Sequence, residues 1–345
     1  MSEPITTPTE LSVPEVARLA ADVLDGVGRA VVGKRRELEL VLAAILAGGH
    51  VLLEDFPGLG KTLAARSFAQ TLGLDFRRLQ FTPDLLPADV TGSFVFDQRI
   101  SDFEFRAGPV FAGLLLADEI NRTPPKTQSA LLEAMQEHQV TVEGTTFPLP
   151  DPFCVLATAN PVEYEGTYPL PEAQLDRFLL RVPFGYLDAD GEWLVLARRV
   201  QRQREEITLP AVTDAAGLRA MRRCVERVTV EESVGRYCVT LAATTRTRPE
   251  VQVGASPRGA LALLLAARGL AVLRGRDYVV PEDVKDVGVA ALAHRLTLRP
   301  ETWMQRVSAD QVARVVLDSV PVPASRLPGD GEDQGEGRRG PKVVR

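Results

Sequence analysis

Apolar residues follow two different periods along this chain, and the switch between them divides it. Near the N-terminus they recur at helical spacing. Residues 11–24, with Leu19, Ala20, Val23 and Leu24 on one face, and residues 35–47, closed by Gly48-Gly49, are predicted as amphipathic helices. From Val51 the pattern becomes short unbroken apolar runs: Val51-Leu52-Leu53, Leu114-Leu115-Leu116-Ala117 and Phe153-Cys154-Val155-Leu156-Ala157. Such runs suit strands buried on both faces, and helices fit between them at 61–72 and 125–136. Strands alternating with helices imply an α/β fold with a parallel sheet covered on both sides. Two segments depart from this rhythm. Residues 92–106 and 139–149 alternate around polar turns and predict β-hairpins inserted into the sheet domain. The first carries Phe94 and Phe96 on one arm, Phe103 and Phe105 on the other.

Beyond about Asp188 the strand pattern is expected to stop. Helical patterns follow at 191–204, 214–227, 231–244, 257–272, 281–291 and 309–317, predicting a smaller all-α domain. The arginine-rich run 198–204, followed by Glu205 and Glu206, reads as a solvated helix face. The expected division is a disordered stretch over 1–10, an α/β domain over 11–187, a helical domain over 188–323, and a Gly-, Pro- and charge-rich disordered tail over 324–345.

Composition narrows the function classes. At 345 residues and 45% hydrophobic, the chain has enough apolar material for one large core and a smaller second one. A net charge of -6 argues against coating nucleic acid, which wants a basic surface. Cys154, Cys224 and Cys238 are odd in number and set among apolar residues, as free thiols in a reducing compartment would be. His50, His138 and His294 are too scattered for a metal cluster and are expected to be structural. The Thr- and Pro-rich start carries two acids before any apolar run, so it does not read as a secretory signal. The longest apolar stretches, such as 261–267, are too short to insert into a membrane, and a cytoplasmic location is expected.

The chemistry-bearing motif is Pro57-Gly58-Leu59-Gly60-Lys61-Thr62, lying between an expected strand and an expected helix. Glycines at 58 and 60 let the backbone curl so that successive N–H groups converge on phosphate oxygens, and the helix adds its positive end. Lys61 would neutralise the β- and γ-phosphates of ATP, and Thr62 would place its hydroxyl on Mg²⁺. Asp55 stands where this motif usually begins with a glycine, tolerable if it faces outward. Downstream, the run Leu114 to Ala117 delivers Asp118 and Glu119 to the carboxyl edge of the sheet, where such folds bind ligands. Asp118 would hold the hydrated metal, and Glu119 would orient and deprotonate the attacking water. Asn160, closing another buried run, could reach the γ-phosphate or that water, although Asn160-Pro161 is otherwise an ordinary turn signal. Arg177 and Arg258 are candidates for stabilising transition-state charge, or equally surface salt bridges by spacing alone.

Together these residues resemble the MoxR family of AAA+ ATPases, from about Val31-Val32-Gly33 to the helices after Arg258. The most specific stretch runs unbroken from Leu116 to Glu137, supported by Gln80-Phe81-Thr82-Pro83-Asp84-Leu85-Leu86-Pro87, Gly108-Pro109-Val110-Phe111 and the run from Tyr168 to Phe178. The resemblance implies an AAA+ domain followed by a helical lid, and tolerates Asp55. It matches Asn160 to sensor 1, Arg177 to the arginine finger that reaches a neighbouring subunit's nucleotide, Arg258 to sensor 2, and Val32 and Gly33 to the segment against adenine. It equates the hairpin at 92–106 with a clade-marking insert and that at 139–149 with the hairpin before sensor 1. A finger acting in trans implies a homo-oligomer, usually a hexameric ring. Family habit implies a chaperone-like motor acting on protein clients, often with a partner carrying a von Willebrand factor A domain.

Two other classes compete. A DNA-translocating motor would place basic residues on the second hairpin, but residues 139–149 contain no Lys or Arg. A low-turnover nucleotide-dependent scaffold would not need the full set Lys61, Asp118, Glu119, Asn160 and Arg177. Phe103 and Phe105 could contact a client in a ring pore or pack on their own domain.

Overall fold

Five parallel strands, in the order β2-β5-β8-β1-β9, run through the middle of the molecule. They are β1 (Val51–Glu54), β2 (Phe76–Gln80), β5 (Leu114–Asp118), β8 (Cys154–Ala159) and β9 (Leu180–Val182). The computed structural model describes residues 10–54, 56, 58–99, 101–160, 167–204, 207–323 and 343–344. Asp55, Pro57 and most of the two segments expected to be disordered lie outside the described residues.

Strand alternation divides the burial between two cores. Val51, Leu53, Leu114, Leu116, Cys154 and Leu156 face one, whereas Leu52, Leu115, Ala117, Val155 and Ala157 face the other. Helices α1 (Val13–Ala30), α2 (Arg35–Leu46) and α3 (Lys61–Thr71) supply residues to the first. Helix α1 continues six residues past the expected end, straight through Gly26, a glycine that serves close packing, since a Cβ there would come within 2.8 Å of Thr71 on α3. The second core takes α4 (Pro87–Thr91) and α5 (Pro125–Glu137).

Both hairpins form, as β3 (Gly92–Asp97) with β4 (Asp102–Ala107), and β6 (Gln139–Val142) with β7 (Thr145–Pro148). They brace each other. Phe105 stacks on Phe147 at 3.9 Å between ring centroids and meets Phe94 and Phe111 as well, so its packing is within its own domain. Phe96 and Phe103, paired edge to face at 5.3 Å, remain exposed near the hairpin tip.

After β9 and the short α6 (Glu172–Leu175) that precedes it, the chain is mostly helical: α7 (Ala189–Arg202), α8 (Ala215–Glu226), α9 (Glu232–Thr247), α10 (Pro257–Leu273), α11 (Pro281–Leu292) and α12 (Ala309–Ser319). Strands do not stop altogether. β11 (Val251–Val253) pairs antiparallel with β12 (Thr297–Leu298), and β10 (Val230–Glu231) with β13 (Val343–Val344). Helical-region side chains from Leu218 to Val320 join the first sheet core instead of forming a second one. The contact is close: Gly269 of α10 lies so near α2 that a Cβ would meet the Ala43 carbonyl oxygen at 2.4 Å. The arginine run on α7 is not simply a solvated face, since Arg198 donates to the carbonyls of Gly28 and Arg29 at the end of α1.

Candidate functional site

Strand β1 feeds the glycine loop, and the loop opens α3. Gly58 and Gly60 have φ of 84° and 86°, left-handed conformations that a side chain would strain, and nothing lies within 4 Å of where a Cβ would sit. Gly60 caps α3, so Lys61 and Thr62 occupy its first turn, where N–H groups lack partners within the helix. Leu59 is half-buried and packs beneath the loop on the first core.

A cleft of about 340 Å³ gathers Gly58, Gly60, Lys61 and Thr62 with Asp118 and Glu119 at the end of β5 and Thr158 and Asn160 at the end of β8. Asp118 is buried, and its carboxylate is clamped. Arg78 on β2 donates to Oδ2 through Nε at 2.9 Å and Nη2 at 2.7 Å, while the Thr158 hydroxyl donates to Oδ1 at 2.6 Å. Glu119 has φ 57° and ψ 49°, a left-handed conformation uncommon for a residue with a side chain. Its N–H donates to the Thr158 Oγ1 at 2.8 Å, and its Oε2 accepts from Gln80 Nε2 at 2.6 Å and pairs with Arg122 Nε at 3.2 Å. Asn160 is buried, and its backbone exchanges hydrogen bonds with the Asn121 side chain at 3.0 and 3.4 Å.

A second cleft of about 460 Å³ shares Gly58, Gly60 and Leu63 with the first and is lined by Leu59, Val31, Val32, Lys34, Tyr186, Leu187 and Leu196. Its apolar walls suit a planar base. Gly33 turns the chain between Val32 and Lys34 with φ 67°, and Lys34 Nζ donates to the Tyr186 carbonyl at 3.1 Å, tying this segment to the chain after β9.

Arg177 and Arg258 are not in either cleft. They line a third, of about 240 Å³, with Asp176, His50, His138, Leu261 and Arg295. Asp176 ties the two arginine-bearing segments together, accepting from Arg295 Nε at 2.7 Å and from Ser256 Oγ, the cap of α10, at 3.3 Å. Burial pushes the Arg295 guanidinium below its usual value; Asp176 opposes that shift and Arg258 adds to it. Among the described residues the buried Arg177 Nε has no hydrogen-bond partner.

The expected site residues thus fall into two groups. Lys61, Thr62, Asp118, Glu119 and Asn160 come together with Val32 close by, while Arg177 and Arg258 come together elsewhere. Pro57 lies outside the described residues. Sequence reasoning missed Arg78, Gln80 and Thr158. The only signal for Thr158 was its place two residues before Asn160, on the same face of a strand.

Comparison with known proteins agrees with this arrangement. Residues 50–180 match the ATPase family associated with various cellular activities (AAA), and residues 243–315 match the AAA lid domain. The chain is 43% identical over 310 residues to Chaperone MoxR1 of Mycobacterium tuberculosis, covering 86% of this chain and 80% of that one. The chain belongs to the MoxR family of AAA+ ATPases. Another MoxR-family similarity is to Protein MoxR of Methylorubrum extorquens, 33% identical over 323 residues, covering 86% of this chain and 93% of that protein. The uncharacterized protein YeaC of Bacillus subtilis is 48% identical over 308 residues, covering 89% and 96%. A crystal structure from Cytophaga hutchinsonii, provisionally described as an ATPase, superposes with a TM-score of 0.84 at 42% identity and covers 90% of this chain and 97% of that one. The MoxR fold is accordingly an AAA domain with its lid, and among the described residues no helix is long and apolar enough to cross a membrane.

Proposed function

We propose that this MoxR-family chain hydrolyses ATP with Mg²⁺ as one subunit of a ring of identical copies. In this reading the work is done on protein clients, beside a partner that carries a von Willebrand factor A domain. The residues present fit a metal–triphosphate: the glycine cradle is open, and the Thr62 hydroxyl and Asp118 carboxylate offer hard oxygen donors in the cleft that holds Lys61. Thr62 and Asp118 would hold the ion, which neutralises phosphate charge when bound. Lys61 neutralises the β- and γ-phosphates. Glu119 takes the proton of the attacking water, and Asn160 positions that water or the γ-phosphate. Val32 and Gly33 belong to the segment against the base.

The observation that carries the ring is the split site. Arg177 and Arg258 line a cleft separate from the one that holds Lys61 and Glu119, so each would serve the nucleotide of the next copy. A guanidinium placed so contributes roughly 10³ to 10⁵ in rate. The exposed Phe96–Phe103 pair supports client contact at the first hairpin, and Phe147, half-buried against Phe94 and Phe105, leaves the second hairpin little to offer DNA.

Mixing two inactive variants tests this. Glu119→Gln keeps its arginines and Arg177→Ala keeps its carboxylate, so a random mixed ring restores roughly a quarter of its sites when the arginine acts in trans. Steady-state turnover should therefore reappear on mixing. A mixture as dead as its components, with both variants shown to bind ATP, would sink the trans assignment.

A further inference from the structure

Asp118 is the carboxylate offered above to the metal, yet both of its oxygens are already engaged. Oδ2 accepts twice from Arg78, through Nε at 2.9 Å and Nη2 at 2.7 Å, and Oδ1 accepts from the Thr158 hydroxyl at 2.6 Å. Three of a carboxylate's roughly four lone-pair sites are thereby taken. The Asp118 side chain is only 11% exposed, so the charge on Arg78 is weakly screened where the two meet. Arg78 itself is half-exposed, and its Nη2 also donates to the Gln80 Oε1 at 2.6 Å. The guanidinium therefore keeps water and a second partner when it gives up Asp118.

The charge of the cleft points the same way. Lys61, Asp118 and Glu119 line it, Arg78 lies on Asp118, and Arg122 lies on Glu119. Among the described residues, three cations against two carboxylates leave a net charge of +1. The nearest other charges are spoken for. Arg77 alternates to the other face of β2 and pairs with Asp75, and Glu54, at the end of β1, pairs with Arg181. A divalent cation alone thus meets net positive charge and a guanidinium on its ligand, whereas a triphosphate meets a favourable field. With the triphosphate bound, the sign of the cleft reverses and favours the cation. We propose that Arg78 is a positioning residue that keeps metal off Asp118 until the triphosphate arrives, so that occupancy of the metal site is conditional on nucleotide. This rests on the reading of the cleft as an Mg²⁺–ATP site given above.

Arg78→Met tests the proposal because a guarding role and a merely structural one differ in sign. Loss of a structural ion pair loosens the site and weakens every ligand. Loss of a guarding cation strengthens metal binding while it weakens the metal-free triphosphate. Mn²⁺ is the metal probe, read by the fall of its free-ion electron paramagnetic resonance signal. A fluorescent non-hydrolysable ATP analogue in EDTA is the nucleotide probe. Without nucleotide, Arg78→Met should bind Mn²⁺ roughly tenfold or more tighter than the wild-type chain, and in EDTA it should bind the analogue more weakly. Arg78→Lys keeps the charge and should stay nearer the wild type in both measurements. Arg77→Met removes the same charge from the other face of β2 and should move neither. Mn²⁺ binding to Arg78→Met that is unchanged or weaker, or a gain as large in Arg77→Met or Arg78→Lys, would reduce Arg78 to a structural tie and overturn the proposal. The wild-type chain decides as well, with no variant needed: Mn²⁺ held as tightly without the analogue as with it would mean that nothing guards Asp118. A wild-type chain that binds no analogue would instead overturn the ATP site itself.

Discussion

Glu119 holds a left-handed backbone, a conformation that costs a residue with a side chain roughly 1–3 kcal/mol. The hydrogen bond from its N–H to the Thr158 hydroxyl helps hold it there, and the same hydroxyl donates to Asp118. One buried group therefore fixes both carboxylates, with its single proton committed to Asp118 and a lone pair to Glu119. Thr158→Val keeps the shape and removes both bonds. It should lower turnover roughly 10- to 100-fold, as loss of an outer partner of a metal-site ligand generally does, while ATP affinity changes little. The buried N–H left without a partner should also cost about 1–3 kcal/mol of stability. Full turnover in Thr158→Val, measured beside an ATP-binding titration, would show that Glu119 is set by something else. Gln80 and Arg122 hold the far end of the same side chain, so the proposed base is gripped at both ends.

Among the elements, position in the sheet decides what the sequence discloses. β5 and β8 are buried on both faces, so their apolar runs were legible, and the carboxylates and Asn160 came with them. β2 sits at the sheet edge with Arg77 and Arg78 exposed, which breaks the apolar run and hid both the strand and the clamp that Arg78 and Gln80 supply. The glycine loop was legible because phosphate binding needs fixed local spacing. The arginine cleft was not, because Asp176 and Ser256, which join its halves, are 80 residues apart. The packing that sets α10, and with it Arg258, was equally hidden, and it gives a prediction of two signs. In Gly269→Ala the new methyl meets the Ala43 backbone, and overpacking of about 1–3 kcal/mol exceeds the roughly 1 kcal/mol gained in helix propensity. In Gly235→Ala on α9 nothing lies within 4 Å, so only the gain remains. Thermal melts should move down for the first and up for the second. A rise for Gly269→Ala would mean that α2 and α10 yield to each other easily.

Stability belongs to the whole molecule, and two buried histidines tie its parts together. His50 joins β1 to α5 and β8: its Nε2 donates to the Met135 carbonyl at 3.1 Å and its Nδ1 accepts from the Val155 N–H at 3.0 Å. Both ring nitrogens are thereby committed to one neutral tautomer, and a second proton would have to enter at Nδ1 against an N–H. Burial pushes its pKa down to about 4, with His138 and Arg222 adding repulsion. His294, buried against the Phe178 carbonyl beside Arg295, is likewise lowered well below the ordinary value, chiefly by burial. An unfolded chain titrates both near pH 6.5. Between that pH and the folded values the unfolded chain binds protons that the folded one refuses, so unfolding free energy falls as pH falls. The loss is fully avoided above pH 6.5, and each histidine contributes a slope approaching ~1.4 kcal/mol per pH unit within the window. Carboxylates held below their usual values, such as Glu250 beside Arg248, lose their contribution only nearer pH 4. Urea unfolding at pH 7, 6 and 5 therefore isolates the histidines. The wild-type chain should weaken steadily over that range, and His50→Gln, though less stable at pH 7, should weaken less steeply. A flat profile from pH 7 to 5 would mean that the folded chain admits the proton after all, and that the junction of β1, α5 and β8 opens without unfolding the remainder.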